Sequence, residues 1–85
     1  MIENHTSFKV IIRNHQDVLY EGEVTALSSI NGSGKFDILA QHANFISLIE
    51  KYITLYPVGK PTETMKITSG VIEVEDEVAR VYLEN

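Results

Sequence analysis

The feature that most constrains the fold is a two-residue alternation of side chains, without any apolar stripe at helical spacing. We predict the first strand at Ser7–Arg13, where one side of the strand carries Phe8, Val10 and Ile12. This period is typical of a half-buried strand. Residues 51–56 alternate in the same way, with Ile53 and Leu55 on one side, before Pro57 removes a ladder donor. The sequence therefore predicts an all-β fold.

Turn-forming residues divide the chain into short predicted strands. The polar run 14–17 predicts a hairpin turn, and Asn31-Gly32 permits a tight reversal because it tolerates positive φ. Glycines at positions 22 and 70 are predicted to interrupt the apolar runs around them. The remaining strands are predicted at 18–20, 24–30, 36–39, 45–49, 65–68, 70–74 and 78–83. The almost wholly apolar 45–49 is predicted to be covered on both sides, although a buried helical turn has the same pattern.

Seven or more short strands without a helix must bury their apolar sides against one another, as two sheets or as a closed barrel. We therefore predict a two-layer β-sandwich or flattened barrel of short, mostly antiparallel strands, formed by residues 1–85 as a single domain. A chain of 85 residues can bury only a small core. It has no cysteine, so packing and backbone hydrogen bonds must hold it together.

Charge and composition argue against several classes of function. The net charge of -5, with only seven basic residues, provides no electrostatic footprint for nucleic acid. The polar amino-terminal sequence MIENHTSFKV lacks the apolar run of a signal peptide or a membrane span. We therefore expect a soluble chain whose link to a membrane, if it has one, is indirect.

The sequence Gly32-Ser33-Gly34-Lys35 invites comparison with a phosphate-binding loop. Such a loop needs glycine at position 29 and serine or threonine at position 36, followed by a helix. This chain has Ser29 and Phe36 there and no predicted helix. The pattern therefore favours a turn.

The remaining polar residues do not assemble a catalytic or metal-binding motif. The three histidines are His5, His15 and His42, and no two of them have the close spacing of zinc ligands. An acidic cluster could suggest a calcium site or a catalytic carboxylate pair, but its pattern fits a solvated strand face better. The cluster consists of Glu73, Glu75, Asp76 and Glu77. We predict no catalytic residue, no metal and no cofactor. Two roles are equally compatible with the pattern of three tyrosines, contact with a partner at an interface and packing between strands. These are Tyr52, Tyr56 and Tyr82.

Four blocks in order carry a resemblance to a known family. They are Phe8–Ile12, Leu19–Val24, Gly34–Leu39 leading into His42-Ala43, and Ile67–Val74. On these blocks the chain, from about Phe8 to Leu83, is similar to the N-terminal β-sandwich domain of the epsilon subunit of F-type rotary ATP synthases, called delta in mitochondria.

The chain departs from the family pattern in three respects. Family members commonly carry Pro-Gly where this chain has Ala40-Gln41, and an acidic or small polar residue in place of Lys35. They also continue into a C-terminal helical hairpin that binds ATP in some members, whereas this sequence stops at Asn85. Either the natural protein lacks the hairpin or the sequence was cut before it, and in both cases we predict neither ATP binding nor the braking of rotation.

The resemblance implies a non-catalytic central-stalk subunit that couples rotation with ATP synthesis. It would lie peripherally on the cytoplasmic side of a bacterial inner membrane, within a proton-translocating complex. The gamma subunit would contact Ser69, Gly70, Val71 and Ile72. The polar loops of the membrane c-ring would contact Gly34, Lys35, Phe36, His42 and Ala43. His42 could equally be a structural histidine that bonds its own turn.

Two other classes of function remain open from the residues alone. The first is a stand-alone β-sandwich interaction module with a different partner, because a fold does not determine a function. The second is a small enzyme, which is disfavoured because no nucleophile, base and orienting group can be assembled from these residues.

Overall fold

A computed structural model describes residues 6–41 and 43–84. Its six strands are β1 (Phe8–Arg13), β2 (Val18–Asn31), β3 (Gly34–Leu39), β4 (Phe45–Pro57), β5 (Glu63–Glu75) and β6 (Val78–Leu83). There is no helix among the described residues. The all-β prediction is confirmed.

Five of the strands close into a barrel. The strand order is β1-β6-β5-β4-β2-β3, and β1 also pairs with β2, which closes the circuit and leaves β3 as one additional strand beside β2. Every pair is antiparallel except β1–β6, which is parallel. The predicted flattened barrel of mostly antiparallel strands is therefore confirmed.

The strands are fewer and longer than predicted, because neither glycine interrupts its strand. Gly22 lies opposite Val10 within the β1–β2 pair. A Cβ added at Gly22 would lie 3.2 Å from the Tyr20 hydroxyl oxygen, so the Tyr20 ring covers the bare backbone. Gly70 is paired on both sides, with Ile49 and Leu83. Pairing with neighbouring strands overrides the weak strand preference of glycine.

Strand β4 includes two predicted strands, 45–49 and 51–56, with an irregularity at Lys51 between them. The β4–β5 register shifts between Glu50 and Tyr52, and Lys51 itself has a φ of 73°. The adjacent β2–β4 register shifts beyond Ser29, which is fully buried and whose Oγ donates to the Tyr52 carbonyl at 2.7 Å. Such bulges bend a strand, which allows long strands to curve around a small barrel.

The core lies inside the barrel and receives side chains from every strand. Its buried apolar members are Phe8, Val10, Ile12, Val24, Leu27, Ile38, Ile49, Ile53, Leu55, Ile67, Ile72, Val74, Ala79, Val81 and Leu83. The predicted inward sides of β1 and of residues 51–56 are confirmed. The prediction that residues 45–49 are covered on both sides is wrong, because Ile46 and Leu48 are 67% and 72% exposed. These two side chains belong to the outer surface described next.

Candidate functional site

Three neighbouring strands carry a row of apolar side chains on the outside of the barrel. Leu48 in β4 lies opposite Val71 in β5, and Val71 lies opposite Tyr82 in β6. Directly opposed residues point to the same face of a sheet. Leu48 is 72% and Tyr82 46% exposed, with Val71 half-buried between them. We call these three residues the apolar row.

A polar row lies two residues away along the strands, and we call Glu50, Ser69 and Glu84 the acidic row. Glu50 is the partner of Ser69, and the Glu84 backbone N–H donates to the Ser69 carbonyl at 3.0 Å. The Ser69 hydroxyl also donates to the Glu84 carboxylate. Both glutamates are exposed. The apolar row is therefore bordered on this side by two solvent-facing carboxylates.

The opposite border of the apolar row carries no net charge. It consists of Ile46, Glu73 and Arg80, in which Glu73 is the cross-strand partner of both neighbours. Opposite charges facing each other across a strand pair offset one another. The surface is therefore asymmetric, acidic along one border and neutral with an exposed isoleucine along the other.

The apolar and acidic rows line a shallow groove of about 660 Å³. Its lining also includes His15, Asn31 and Gly32. Nothing in the sequence pattern indicated this concavity, and Leu48 was missed as a surface residue. The signal that could have identified Leu48 as a surface residue is its alternation with the buried Ile49, combined with the β4–β5 register.

Gly70 lies beneath the groove and permits a close backbone approach. A Cβ at this position would lie 2.8 Å from the Tyr82 carbonyl oxygen and 2.9 Å from the Leu83 Cδ2. The approaching backbone is thus the chain's own β6. Side chains alternate between the two faces of β5, so that Ile72 is fully buried while Val71 faces outward.

The β2–β3 hairpin holds Gly34, Lys35 and Phe36 at the start of β3. Asn31 pairs with Gly34 around a two-residue turn, and the Asn31 Oδ1 accepts a hydrogen bond from the Ser33 N–H at 2.8 Å. Gly34 has a φ of 122°, which side chains rarely tolerate. The interpretation of this segment as a turn is confirmed, and Lys35 is exposed beside it.

Phe36 connects this hairpin to the segment that contains Ala43. The Phe36 and Phe45 rings meet edge to face, with centroids 6.2 Å apart and an interplanar angle of 88°. Phe45 begins β4 two residues after the exposed Ala43. The half-buried Phe36 therefore contributes to the packing of the fold and is also part of the surface. Aromatic pairs of this geometry stabilise a fold by more than the burial of their apolar area alone.

The predicted contact residue His42 lies outside the described residues, as does His5. Both flanks of position 42 are held by the β5–β6 turn. The Gln41 backbone N–H donates to the Glu77 Oε1 at 3.0 Å, and the Asp76 N–H donates to the Asn44 Oδ1 at 3.2 Å. Glu77 thus positions a loop, and it is not part of a carboxylate pair with Glu73, which lies opposite Arg80.

The titratable groups of the described ranges form no arrangement that would hold a metal ion. Within residues 6–41 and 43–84, no three His, Cys, Asp or Glu side chains converge. Burial, aided by the nearby Glu63 carboxylate, raises the pKa of the Tyr20 phenol above its ordinary value. The part of the chain that the structure describes contains no apolar helix of bilayer-spanning length.

The barrel and the groove define a β-sandwich module with an exposed apolar face. Residues 7–85 match the family described as ATP synthase, Delta/Epsilon chain, beta-sandwich domain, and the chain belongs to this family. The resemblance stated from the sequence is therefore confirmed.

Relatives of known identity agree with this assignment. The chain is 30% identical over 80 residues to the ATP synthase epsilon chain of Sulfurimonas denitrificans, covering 93% of this chain and 62% of that protein. It superposes with a TM-score of 0.88 on a chain of the Euglena gracilis mitochondrial ATP synthase, at 14% identity and with 98% of this chain and 54% of that chain covered. A chain of the Tetrahymena thermophila mitochondrial ATP synthase central stalk and c-ring gives a TM-score of 0.79 at 9% identity, with 91% and 63% covered.

At these identities the two solved structures establish the fold. This chain spans less than two thirds of the length of each of these three relatives.

Proposed function

We propose that this chain is the β-sandwich domain of an epsilon-type central-stalk subunit, which bridges the gamma subunit and the c-ring of a rotary ATP synthase. Membership of the delta/epsilon family supports this role. The Sulfurimonas relative is itself an ATP synthase epsilon chain. The domain would act without catalysis, at the periphery of a proton-translocating complex on the cytoplasmic side of a bacterial inner membrane.

The observation that carries the proposal is the exposed apolar row. An aromatic and two aliphatic side chains lie together on three adjacent strands, Leu48, Val71 and Tyr82. Apolar patches bordered by polar residues mark contact surfaces of soluble proteins. We propose that gamma docks here. Of the gamma-contact segment 69–72, Ser69 and Val71 would touch gamma, while Gly70 and Ile72 would support the sheet from below.

The closed barrel suits the transmission of torque. Within the described chain, each of the five barrel strands is hydrogen-bonded to two neighbouring barrel strands. Local opening would therefore have to break paired strands, which are the most protected part of a small domain. A load applied at one surface would reach the other without the scaffold yielding.

The second surface would be the end of the molecule that holds Lys35, Phe36 and Ala43. Lys35 and Ala43 are exposed, and Phe36 anchors the region through Phe45. Residues presented by a rigid scaffold on turns are suited to contact a partner. We propose that these residues, with Gly34 and His42, meet the polar loops of the c-ring.

Co-purification with the gamma subunit of the same organism tests the proposal. Replacing Val71 with Asp would place a charge in the apolar row, so gamma binding should weaken at least about tenfold while the isolated fold is retained. The matched control is Val58→Asp, which adds the same charge at an exposed valine outside the groove. It should bind gamma as the wild-type chain does.

Failure of the wild-type chain to bind gamma would overturn the proposal, and would favour an interaction module with another partner. Loss of folding in the Val71→Asp variant would instead identify Val71 as a core residue. Leu48→Asp, at a position that is 72% exposed, then provides the test without that ambiguity.

A further inference from the structure

The charge asymmetry of the groove specifies what its occupant must look like. The acidic row presents the carboxylates of Glu50 and Glu84 along one border, while Glu73 and Arg80 offset each other along the other. Apolar contact alone would not favour either orientation of a partner. Basic side chains on one side of the bound segment would match the two carboxylates and favour one orientation.

The occupant cannot be an added β-strand at this place. The strands β4, β5 and β6 are each hydrogen-bonded to a neighbour on both sides, as part of the closed barrel. Strand addition requires an unpaired edge, whereas side-chain contact with a sheet face requires a partner that brings its own backbone pairing. An amphipathic helix, whose backbone groups are paired internally, meets this condition.

The spacing of the two rows matches such a helix. Residues two apart on a strand lie about 6.7 Å apart, so a helix of about 5 Å radius centred on the apolar row reaches over the acidic row. Neighbouring strands are about 4.8 Å apart, so Glu50 and Glu84, two strands apart, are separated by about 10 Å. Seven residues of helix rise about 10.5 Å. Basic side chains at positions i and i+7 would therefore face both carboxylates.

We propose that the groove binds an amphipathic helix whose apolar stripe covers Leu48, Val71 and Tyr82, with Lys or Arg about seven residues apart facing Glu50 and Glu84. The inference rests on the proposed function in taking this helix from the gamma subunit. A second copy of this chain is disfavoured as occupant, because its net charge of -5 would meet the same net charge.

Binding of purified gamma to charge-reversal variants, at low and at high salt, tests this inference. The double variant Glu50→Lys/Glu84→Lys should bind gamma about tenfold more weakly at low salt, and its affinity should lose the salt dependence of the wild-type chain. The control Glu23→Lys/Glu63→Lys makes the same charge change at exposed glutamates outside the groove. It should stay within about twofold of the wild-type affinity.

Compensation provides the second measurement. Replacing the paired Lys or Arg residues of the gamma helix with Glu should restore binding to the double variant. If the wild-type chain binds gamma but the groove variant and the control variant bind it with equal affinity, the inference is overturned and the proposed function stays intact. Absence of wild-type binding would overturn both, so the two failures are distinguishable.

Discussion

The groove and the β2–β3 hairpin are both surfaces of one small barrel, but they are built in different ways. The groove is formed mainly by positions 48–50, 69–71 and 82–84, which meet only because β4, β5 and β6 pair in one particular register, and the hairpin residues Asn31 and Gly32 also line it. The hairpin surface at residues 31–36 is continuous in sequence and is shaped by one turn. A surface made by a turn can therefore be recognised locally, whereas a surface made by strand register cannot.

The two surfaces also differ in how they respond to change. The side chains of the apolar row stand directly above a packed inner row, and one residue along a strand separates the contact surface from the core. At the hairpin, the exposed Lys35 is next to a polar turn, and the Phe36–Phe45 pair packs nearby. Substitutions near the groove should therefore divide sharply by face, and substitutions at Lys35 should leave folding unaffected.

The largest expected effect is the loss of Ile72, beneath the groove. Its side chain is fully buried, so Ile72→Ala should lower the free energy of unfolding by about 2–5 kcal/mol through lost transfer energy and an unfilled cavity. Val71→Ala, one residue along and on the outer face, should cost less than about 1 kcal/mol. Urea denaturation followed by circular dichroism measures both. Similar losses at the two positions would remove the distinction between the faces.

The next effect is steric. Gly70→Ala places a methyl group 2.8 Å from the Tyr82 carbonyl oxygen, so we expect a destabilisation of about 1–3 kcal/mol as β5 and β6 separate. Gly32→Ala at the hairpin is the matched control, because no atom lies within 4 Å of its added Cβ. It should change stability by less than about 0.5 kcal/mol. A Gly70→Ala variant as stable as this control would contradict the close approach.

Charge reversal at the hairpin should separate function from stability. Lys35→Glu should alter the free energy of unfolding by less than about 0.5 kcal/mol, since the side chain is exposed. If this surface meets the c-ring, the same variant should change ATP-driven proton pumping in a reconstituted synthase. Lys66→Glu, an exposed lysine on β5, controls for net charge. An unchanged pumping rate would count against the proposed c-ring contact.

The smallest effect concerns Tyr20, which belongs to neither surface. Burial and Glu63 raise its pKa above the ordinary value of 10.0, so the folded state retains the phenol proton after the unfolded chain has lost it. Stability from this group is complete below pH 10 and falls as the pH rises from there through the folded pKa. Tyr20→Phe should therefore flatten the decline of the unfolding free energy above pH 10. Parallel declines in the two proteins would show that Tyr20 does not contribute.

Sequence patterns predicted the local features of this molecule well. The alternation in β1 and the segment 78–83 as a strand follow from side-chain periodicity. The reversal after Asn31 is also confirmed, although the positive φ that it needs lies at Gly34 and not at Asn31 or Gly32. The predicted breaks at Gly22 and Gly70 failed because the Tyr20 ring covers the first glycine and two paired neighbours hold the second. Leu48 was assigned to a covered strand, since an apolar run does not indicate which of its sides meets another layer.

The sequence alone determined that the chain folds as strands, where its turns lie and which family it resembles, because periodicity, turn residues and motif order are properties of short segments. The tertiary structure decided which side of β4 and β5 faces solvent, and that Leu48, Val71 and Tyr82 form one surface beside two carboxylates. Those facts depend on barrel closure and on the register between strands distant in sequence. A shift of one residue in that register would turn every side chain of the groove toward the opposite face.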